Sequence, residues 1–530
     1  MSTKLPTSEQ QAVINCQTNC VVTAKPGSGK TFTIVEKISN ILETLPDYKG
    51  VIAISYTNKA ANELKSRCSQ IGINLKSSFF GTIDKFCLSQ IITPFAPHLT
   101  GKIIDYEIVD NFDGIRKNYD TSNVTNESFL SCQIHIGRIA DLAYYLLLHV
   151  KELIIYLKSR FTHIIIDEYQ DCSEIQHRLF MSLVQNGLIG VAVGDPEQAI
   201  FEFAGKSPKF LCSLIDNNSF NHFYLSKNHR CSKGIINYSQ CLMNGHYRKT
   251  FEIVDEAVIC VTINGNYSEI SDYIECFIEQ IKNKYHVLNN NQVAILCRNK
   301  KSIEYLRQHL NIRFKISEDT PLDRDNSVHA LLFRSILRSY FSREQSLVDL
   351  VEEYYSQDYD PFYYKKLFFM CKEIFNTPSD NLNVSINNFI DIANFIYPTH
   401  ASSKTIHNLM SVLNSPDLLK SYRLANNDEI NIMTLHKSKG LEFNIVFLLD
   451  LYQCFFPKGN ISPTEYQQEL NLHYVGVTRA INACYMLVGS KRFSSDGRVI
   501  QAKPSSFLSL PNLQHLRKNT KWSCSFPTNS

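Results

Sequence analysis

An apolar, β-branched run (Cys20–Ala24) leads directly into Lys25-Pro26-Gly27-Ser28-Gly29-Lys30-Thr31 and then into a plausible helix. Strand, glycine-rich loop and helix in that order form the context a phosphate-binding loop requires. Glycines let backbone N–H groups turn inward on phosphates, and the helix N-terminus that follows adds a favourable dipole. Lys30 is placed to reach the β- and γ-phosphates, and the Thr31 hydroxyl to ligate Mg2+. Such a loop belongs in a parallel sheet, and the rest of the chain agrees. Short apolar runs recur at Cys20–Ala24, Gly50–Tyr56, His163–Ile166 and Gly190–Val193, separated by helical stretches. That is the pattern of parallel strands joined by crossover helices.

A second strand series follows at Ala257–Ile263, Gln292–Cys297, Asn444–Asp450 and Cys484–Val488. Two stretches break the rhythm. Residues 88–159 are polar and Asn-rich before an apolar segment, Leu142–Val150. Residues 316–427 turn helical and aromatic, with Tyr354, Tyr355, Tyr359, Phe362, Tyr363, Tyr364, Phe368 and Phe369. The expected division is a first lobe (1–87 and 160–205) carrying an insertion at 88–159, and a second lobe (206–315 and 428–495) carrying one at 316–427. A basic C-terminal tail, 496–530, completes it. The aromatics of the second insertion read as a helical core.

With a net charge of +3 over 530 residues, any nucleic-acid contact must come from local basic surfaces. The sixteen cysteines form no C-x-x-C pairs, and Cys16 and Cys20 lie close without a second pair to complete a metal site. They read as reduced thiols. The N-terminus lacks the apolar run of a signal peptide, and Leu142–Val150 falls short of the ~20 residues a membrane span needs. A cytoplasmic location is expected.

A strand at His163–Ile166 delivers Asp167 and Glu168 at its carboxyl end. Asp167 is expected to hold Mg2+ and Glu168 to orient or deprotonate the attacking water, because phosphoryl transfer depends on charge placement. The series AKPGSGKT, IIIDEYQD, VGDPEQAIF, KNHR, TLHKSKGLEF and HYVGVTRA, in that order, resembles the superfamily 1 DNA helicases of the UvrD, Rep and PcrA type, over roughly Glu9 to Leu487. The resemblance implies two RecA-like P-loop NTPase lobes of α/β class, each with a mostly helical insertion, and ATP bound between them. It implies 3′→5′ movement on single-stranded DNA.

By the same resemblance, Gln10 reads adenine and His229 stands where an aromatic stacks on it. Ala24, Pro26, Gly27, Ser28, Gly29, Lys30 and Thr31 cradle the phosphates, and Glu442 contacts the ribose. Gln198 senses the γ-phosphate; Arg230 and Arg479 reach it from the second lobe. An amide suits a purine edge because it both donates and accepts. DNA contacts are implied at Thr57, Asn58, Lys59, Thr82, Phe203, Thr434, His436 and Lys437, with aromatic faces stacking on bases and hydroxyls and lysines on phosphates. Phe203 replaces a usual tryptophan, Ala204 an arginine and Asp84 a histidine, which weakens the expected grip on DNA. Asp496 with Gln501-Ala502-Lys503 faintly resembles a nuclease pattern, but too little chain follows it to build a nuclease domain.

Within that superfamily the compact two-insertion layout, RFTHIIIDEYQD, GTIDKF and TPLDR (Thr320–Arg324) look similar to the helicase-like subunits of Gabija anti-phage systems. Those imply an OLD-type nuclease partner with a Toprim domain, in a hetero-oligomer. A stand-alone repair helicase is the alternative. Nothing in the motifs reads a 2′-hydroxyl, so DNA as the track rests on the resemblance.

Overall fold

The computed structural model describes residues 5–523, apart from 105, 110–123, 203–204, 247–255, 326, 343–345, 356, 358–359, 398–399 and 495. Two compact units emerge: Met1–Ser89, Leu146–Phe314 and Asn427–Ser530 form one, and Gln90–Tyr145 with Lys315–Asn426 the other. The phosphate loop and the six motifs of the helicase series lie in the first unit, and TPLDR in the second.

That unit is α/β and contains two parallel sheets. The first has strands β1 (Cys20–Ala24), β2 (Gly50–Ile54), β3 (Phe79–Gly81), β4 (Phe161–Ile166), β5 (Ile189–Gly194) and β6 (Asn221–Leu225), in the spatial order β3-β2-β4-β5-β1-β6. The second has β7 (Val258–Ile263), β8 (Val293–Cys297), β9 (Phe314–Ile316), β10 (Ile430–Thr434), β11 (Phe443–Leu448), β12 (Ala480–Gly489) and β13 (Lys518–Trp522), ordered β9-β10-β8-β11-β12-β7-β13. Central strands are mostly apolar because helices cover both faces. Every residue of β1, β2 and β8 is buried.

In each sheet the register brings motif-bearing carboxyl ends level. Thr23 of β1 pairs with Gly194 of β5, and Ile166 of β4 with Ala192, so the phosphate loop, Asp167 and Asp195 leave the sheet on one edge.

Five strands carry no clear apolar run and are not legible in the sequence: β3, β6, β9, β10 and β13. Four of these, β3, β6, β9 and β13, are edge strands; β6 exposes Asn221 and His222, and β13 is largely polar. An edge strand facing water needs no continuous apolar pattern. Much of the segment expected as a basic tail is built into the second lobe. Phe507, Leu508 and Leu513 are buried in its core, and β13 pairs with β7 from Lys518↔Ile259 to Trp522↔Ile263.

The other unit is mainly helical between 315 and 426. Helices Val328–Ser342, Pro361–Asn376, Ile386–Ile396 and Ser403–Leu413 enclose Phe333, Leu337, Leu367, Ile374, Phe389, Ile392 and Leu409. The aromatic-rich stretch divides: Tyr364 is buried and Phe368 packs on the core, whereas Phe362 is 71% and Phe369 61% exposed. TPLDR is a structural latch here. Asp323 accepts from Thr320 N and Oγ1 (both 2.9 Å) and pairs with Arg338 (3.4 Å), while Thr320 Oγ1 bonds Tyr422 (2.6 Å). Residues 90–145 add a short parallel pair, Glu107–Val109 with Gln133–His135.

Candidate active site

The phosphate loop turns through two left-handed glycines, Gly27 (φ +72°) and Gly29 (φ +84°), before helix Lys30–Thr44 begins. A Cβ on Gly27 would lie 2.6 Å from Asn228 Oδ1, and one on Gly29 2.6 Å from Gln10 Nε2. The loop is therefore clamped from both sides. Gln10 Nε2 donates to the Ser28 carbonyl (3.0 Å), and its Oε1 accepts from Thr7 N (2.9 Å) in the capping box of helix Ser8–Asn15. Both ends of the amide expected to read adenine are thus bonded within the protein. Lys30 Nζ rests on the Ala24 carbonyl at 3.3 Å, and the buried Ser28 hydroxyl has no hydrogen-bond partner. A left-handed glycine cradle with a lysine and an unpartnered hydroxyl fits a bound phosphate chain.

At the end of β4, Asp167 N donates to the Ile54 carbonyl (2.9 Å) and Asp167 Oδ1 accepts from Glu168 N (2.9 Å). Glu168 is held in the left-handed region (φ 55°), an uncommon conformation for a residue with a side chain. Gln170 fixes it, donating through Nε2 to the Glu168 carboxylate and accepting from Asp195 N (3.0 Å). Burial, and then the neighbouring Glu168 charge, push the Asp167 carboxyl up to about 7 against the pull of Lys30. Burial would also raise Glu168, but Lys30, Lys439, Gln170 and Arg479 outweigh it and hold that carboxylate below its ordinary range. The pair is therefore split, with Glu168 the more acidic of the two carboxyls. Among the described residues no group of three or more His, Cys, Asp or Glu gathers as a metal site. One carboxylate and the Thr31 hydroxyl suit Mg2+, which binds substrate phosphates with few protein ligands.

The second lobe meets this site through both arginines. Arg479, 3% exposed, donates to Val475 O (3.2 Å), Leu441 O (2.9 Å) and, across the lobes, Gln198 Oε1 (3.3 Å). Gln198 Nε2 in turn donates to Asp195 Oδ2 (3.0 Å). Burial, with Arg230 nearby, lowers the Arg479 guanidinium to about 10, so it stays a cation. Arg230 donates to Glu442 Oε2 (3.1 Å) and Thr478 O (2.9 Å), and its buried Nε has no partner. Glu442 is thus placed against Arg230. His229 is exposed and donates its backbone N–H to Gly27 O (2.8 Å).

Several contributors were not singled out from the sequence. Asn228 donates to Pro26 O (2.7 Å) and accepts from Arg230 N (2.8 Å), tying KNHR to the phosphate loop. Lys439 crosses between the lobes to Asp171 Oδ2 (2.5 Å) and Gln198 O (2.8 Å), and Asn471 reaches Ala199 O (3.0 Å). Asp171 and Gln170 stand inside DEYQD, and Lys439 inside the KSKGLEF run, so membership of the motifs was the available signal.

Along the expected DNA track, Thr57 caps helix Asn58–Gln70 by accepting from Ala60 N (3.2 Å), and Thr82 caps Ile83–Phe86. Thr434 ends β10, and His436 and Lys437 lie in the short turn His436–Ser438. Burial, then Arg298 and Lys458, push the His436 imidazole down to about 4, so it is neutral at pH 7. Phe203 and Ala204, and the side chains of Asn58 and Lys59, lie outside the described residues. Tyr56 stacks on Phe201 (centroids 5.7 Å), flanked by Lys206 over Tyr56 (5.8 Å) and Lys439 over Phe201 (4.9 Å). Burial raises the Asp84 carboxyl, with Lys206 opposing.

Comparison with known proteins agrees with this geometry. The model of the UvrD/REP helicase N-terminal domain matches residues 5–125 and 107–220, and that of the UvrD-like helicase C-terminal domain matches 337–491. The Gabija protein GajB of Bacillus cereus is 28% identical over 506 residues, covering 92% of this chain and 96% of that protein. The ATP-dependent DNA helicase Rep of Buchnera aphidicola is 24% identical, covering 94% and 97%. The ATP-dependent DNA helicase PcrA of Staphylococcus aureus is 22% identical, covering 95% and 85%. The chain belongs to the UvrD-like helicase family and is an ATP-hydrolysing DNA helicase built on two parallel-sheet lobes.

Proposed function

We propose that the chain is a DNA-stimulated ATPase motor that moves 3′→5′ on single-stranded DNA and serves as the helicase-like component of a Gabija-type defence complex. Its motor core comprises 1–87, 160–205, 206–315 and 428–495 together with the packed part of the C-terminal segment, β13 included, and carries insertions at 88–159 and 316–427. Lys30 and the Gly27–Gly29 backbone bind the phosphates. Thr31 and Asp167 would hold Mg2+, which would supply charge neutralisation on the phosphate chain. Glu168 orients the attacking water and receives its proton, while Arg230 and Arg479 neutralise charge developing on the transferred phosphoryl group. Gln198 couples this event to lobe movement, because it touches Arg479 on one side and shares its backbone carbonyl with Lys439 on the other.

The observation that carries the mechanism is the Gln198–Arg479 contact across the lobes, beside an ionised Glu168. Hydrolysis is thereby tied to how the lobes stand. The defence assignment rests on the near full-length similarity to GajB, and an OLD-type Toprim nuclease is its expected partner. Similarity to Rep over comparable lengths keeps a free-standing repair helicase as the second reading.

One set of assays separates them. ATPase is measured without nucleic acid and with single-stranded DNA, blunt duplex and RNA, and unwinding on duplexes with 3′ or 5′ tails. DNA-stimulated hydrolysis with little unwinding until a partner nuclease is added supports the defence reading. Vigorous unwinding of 3′-tailed duplex by the chain alone supports the repair helicase, and preference for a 5′ tail sinks the proposed polarity.

A further inference from the structure

Lys25 stands in the phosphate loop, but its ammonium is already engaged by protein groups. Its carbonyl accepts from Ser28 N (3.2 Å), so the residue belongs to the turn that Gly27 and Gly29 shape. Its Nζ makes an ion pair with Glu197, in the short turn Pro196–Gln198 that follows β5. The same ammonium lies over the ring of Tyr474, 5.9 Å from the centroid, within the range of a cation–π contact. Tyr474 is buried and belongs to helix Pro463–Thr478 of the second lobe, which packs on that turn. One side chain of the phosphate loop thus reaches both the turn carrying Gln198 and the second lobe.

The turn is built so that a shift of Glu197 reaches Gln198. Glu197 N donates to Asp195 Oδ1 (3.1 Å), and Gln198 Nε2 donates to Asp195 Oδ2 (3.0 Å). Both neighbours therefore share one carboxylate, which is itself 1% exposed and fixed. Gln198 Oε1 in turn accepts from Arg479 (3.3 Å). The Lys25 and Glu197 side chains are 19% and 29% exposed, so solvent and salt screen their attraction less than that of a surface pair. Burial would lower the Lys25 ammonium, but Asp195 and then Glu197 hold it above its ordinary value, and it is a cation at pH 7. Burial raises the Glu197 carboxyl, and Lys25 is the charge that opposes it most.

We propose that Lys25 is a positioning residue for hydrolysis and not a phosphate ligand: paired with Glu197, it carries the set of the phosphate loop to Gln198 and, through Gln198, to Arg479. The proposal rests on the reading of this site as an ATPase in which Gln198 and Arg479 serve the γ-phosphate. The two roles differ in kinetics. A group that places Gln198 and Arg479 alters the rate at which bound nucleotide reacts. A lysine that grips phosphate equally in ground and transition states alters only how much nucleotide is bound.

Steady-state ATPase of the full chain, with single-stranded DNA in excess, is measured across ATP concentrations for the parent, Lys25→Met, Lys25→Arg, Glu197→Gln and the Lys25→Met/Glu197→Gln double variant. Lys25→Met and Glu197→Gln should each lower kcat about tenfold and leave KM for ATP within about twofold. The double variant should lose no more than either single, because the two side chains act as one pair. Lys25→Arg keeps the cation and should recover most of kcat. Glu197→Gln nearly preserves shape and leaves no unpaired carboxylate, so it tests the pair even where Lys25→Met folds poorly. A tenfold rise in KM with kcat unchanged would make Lys25 a phosphate ligand and overturn the proposal. Losses that multiply in the double variant would overturn it too. A parent without ATPase takes down the underlying reading as well, whereas a parent that turns over no faster than both single variants takes down this proposal alone.

Discussion

At the scale of single residues, the chain needs few groups to do its chemistry and holds them tightly. Lys30→Ala or Glu168→Gln should abolish ATPase while the circular dichroism spectrum and melting midpoint stay close to the parent. Arg479 is the more demanding case, because its guanidinium bonds two carbonyls and Gln198. Arg479→Ala should cut kcat by ~10³–10⁵, the usual worth of an arginine finger. Arg479→Lys should recover little of it, since an ammonium cannot span the three acceptors. His473 makes a different prediction. It is fully buried among Phe456, Phe507 and Tyr238, neither ring nitrogen has a partner, and burial and then Arg517 depress it to about 3. The native state therefore binds fewer protons than the unfolded state between about pH 6.5 and 3, so this residue removes stability as pH falls through that window. His473→Leu should raise the melting midpoint at pH 7, because an unpaired buried polar group costs about 1–3 kcal/mol. It should also flatten the acid limb of the midpoint against pH, and an equally steep limb in the variant would contradict the account.

At the scale of elements, the lobes are joined by short motif segments and not by a broad apolar seam alone. Lys439, from the turn before β11, pairs with Asp171, from the turn after β4, with the two side chains 11% and 0% exposed. Breaking a buried pair from one side leaves an uncompensated charge, at a cost of about 3–5 kcal/mol. Lys439→Met should therefore destabilise by that order in denaturant melts, and adding Asp171→Asn should restore part of the loss. Additive losses in the double variant would show that the two residues do not act as a pair. The sequence made β1, β2, β4 and β8 legible because strands covered on both faces are mostly apolar. It left β6 and β13 obscure because an edge strand with a wet face carries Asn221, His222, Lys518 and Lys521 as readily as valine. The phosphate loop and Asp167–Glu168 were legible for a related reason: their chemistry is local in sequence. Asn228 and Lys439 were not, since their partners Pro26 and Asp171 lie 202 and 268 residues away.

At the scale of the whole molecule, a near-neutral chain of net charge +3 must grip DNA by local features. The Tyr56–Phe201 stack, with Lys206 over one ring and Lys439 over the other, places aromatic faces and cations together beside Gln198, the chemistry such a grip would use. Affinity for single-stranded DNA should fall log-linearly with salt, with a slope set by the few phosphates neutralised. A salt-independent affinity would remove the proposed track. Among the described residues no helix is long and apolar enough to cross a membrane. The central claim is that one site between two lobes hydrolyses ATP in response to DNA. Its most direct test is steady-state ATPase of the purified chain with and without single-stranded DNA, alongside Glu168→Gln. The account predicts strong stimulation by DNA in the parent and baseline turnover in the variant under both conditions. Turnover surviving in Glu168→Gln, or a parent rate indifferent to DNA, would contradict it.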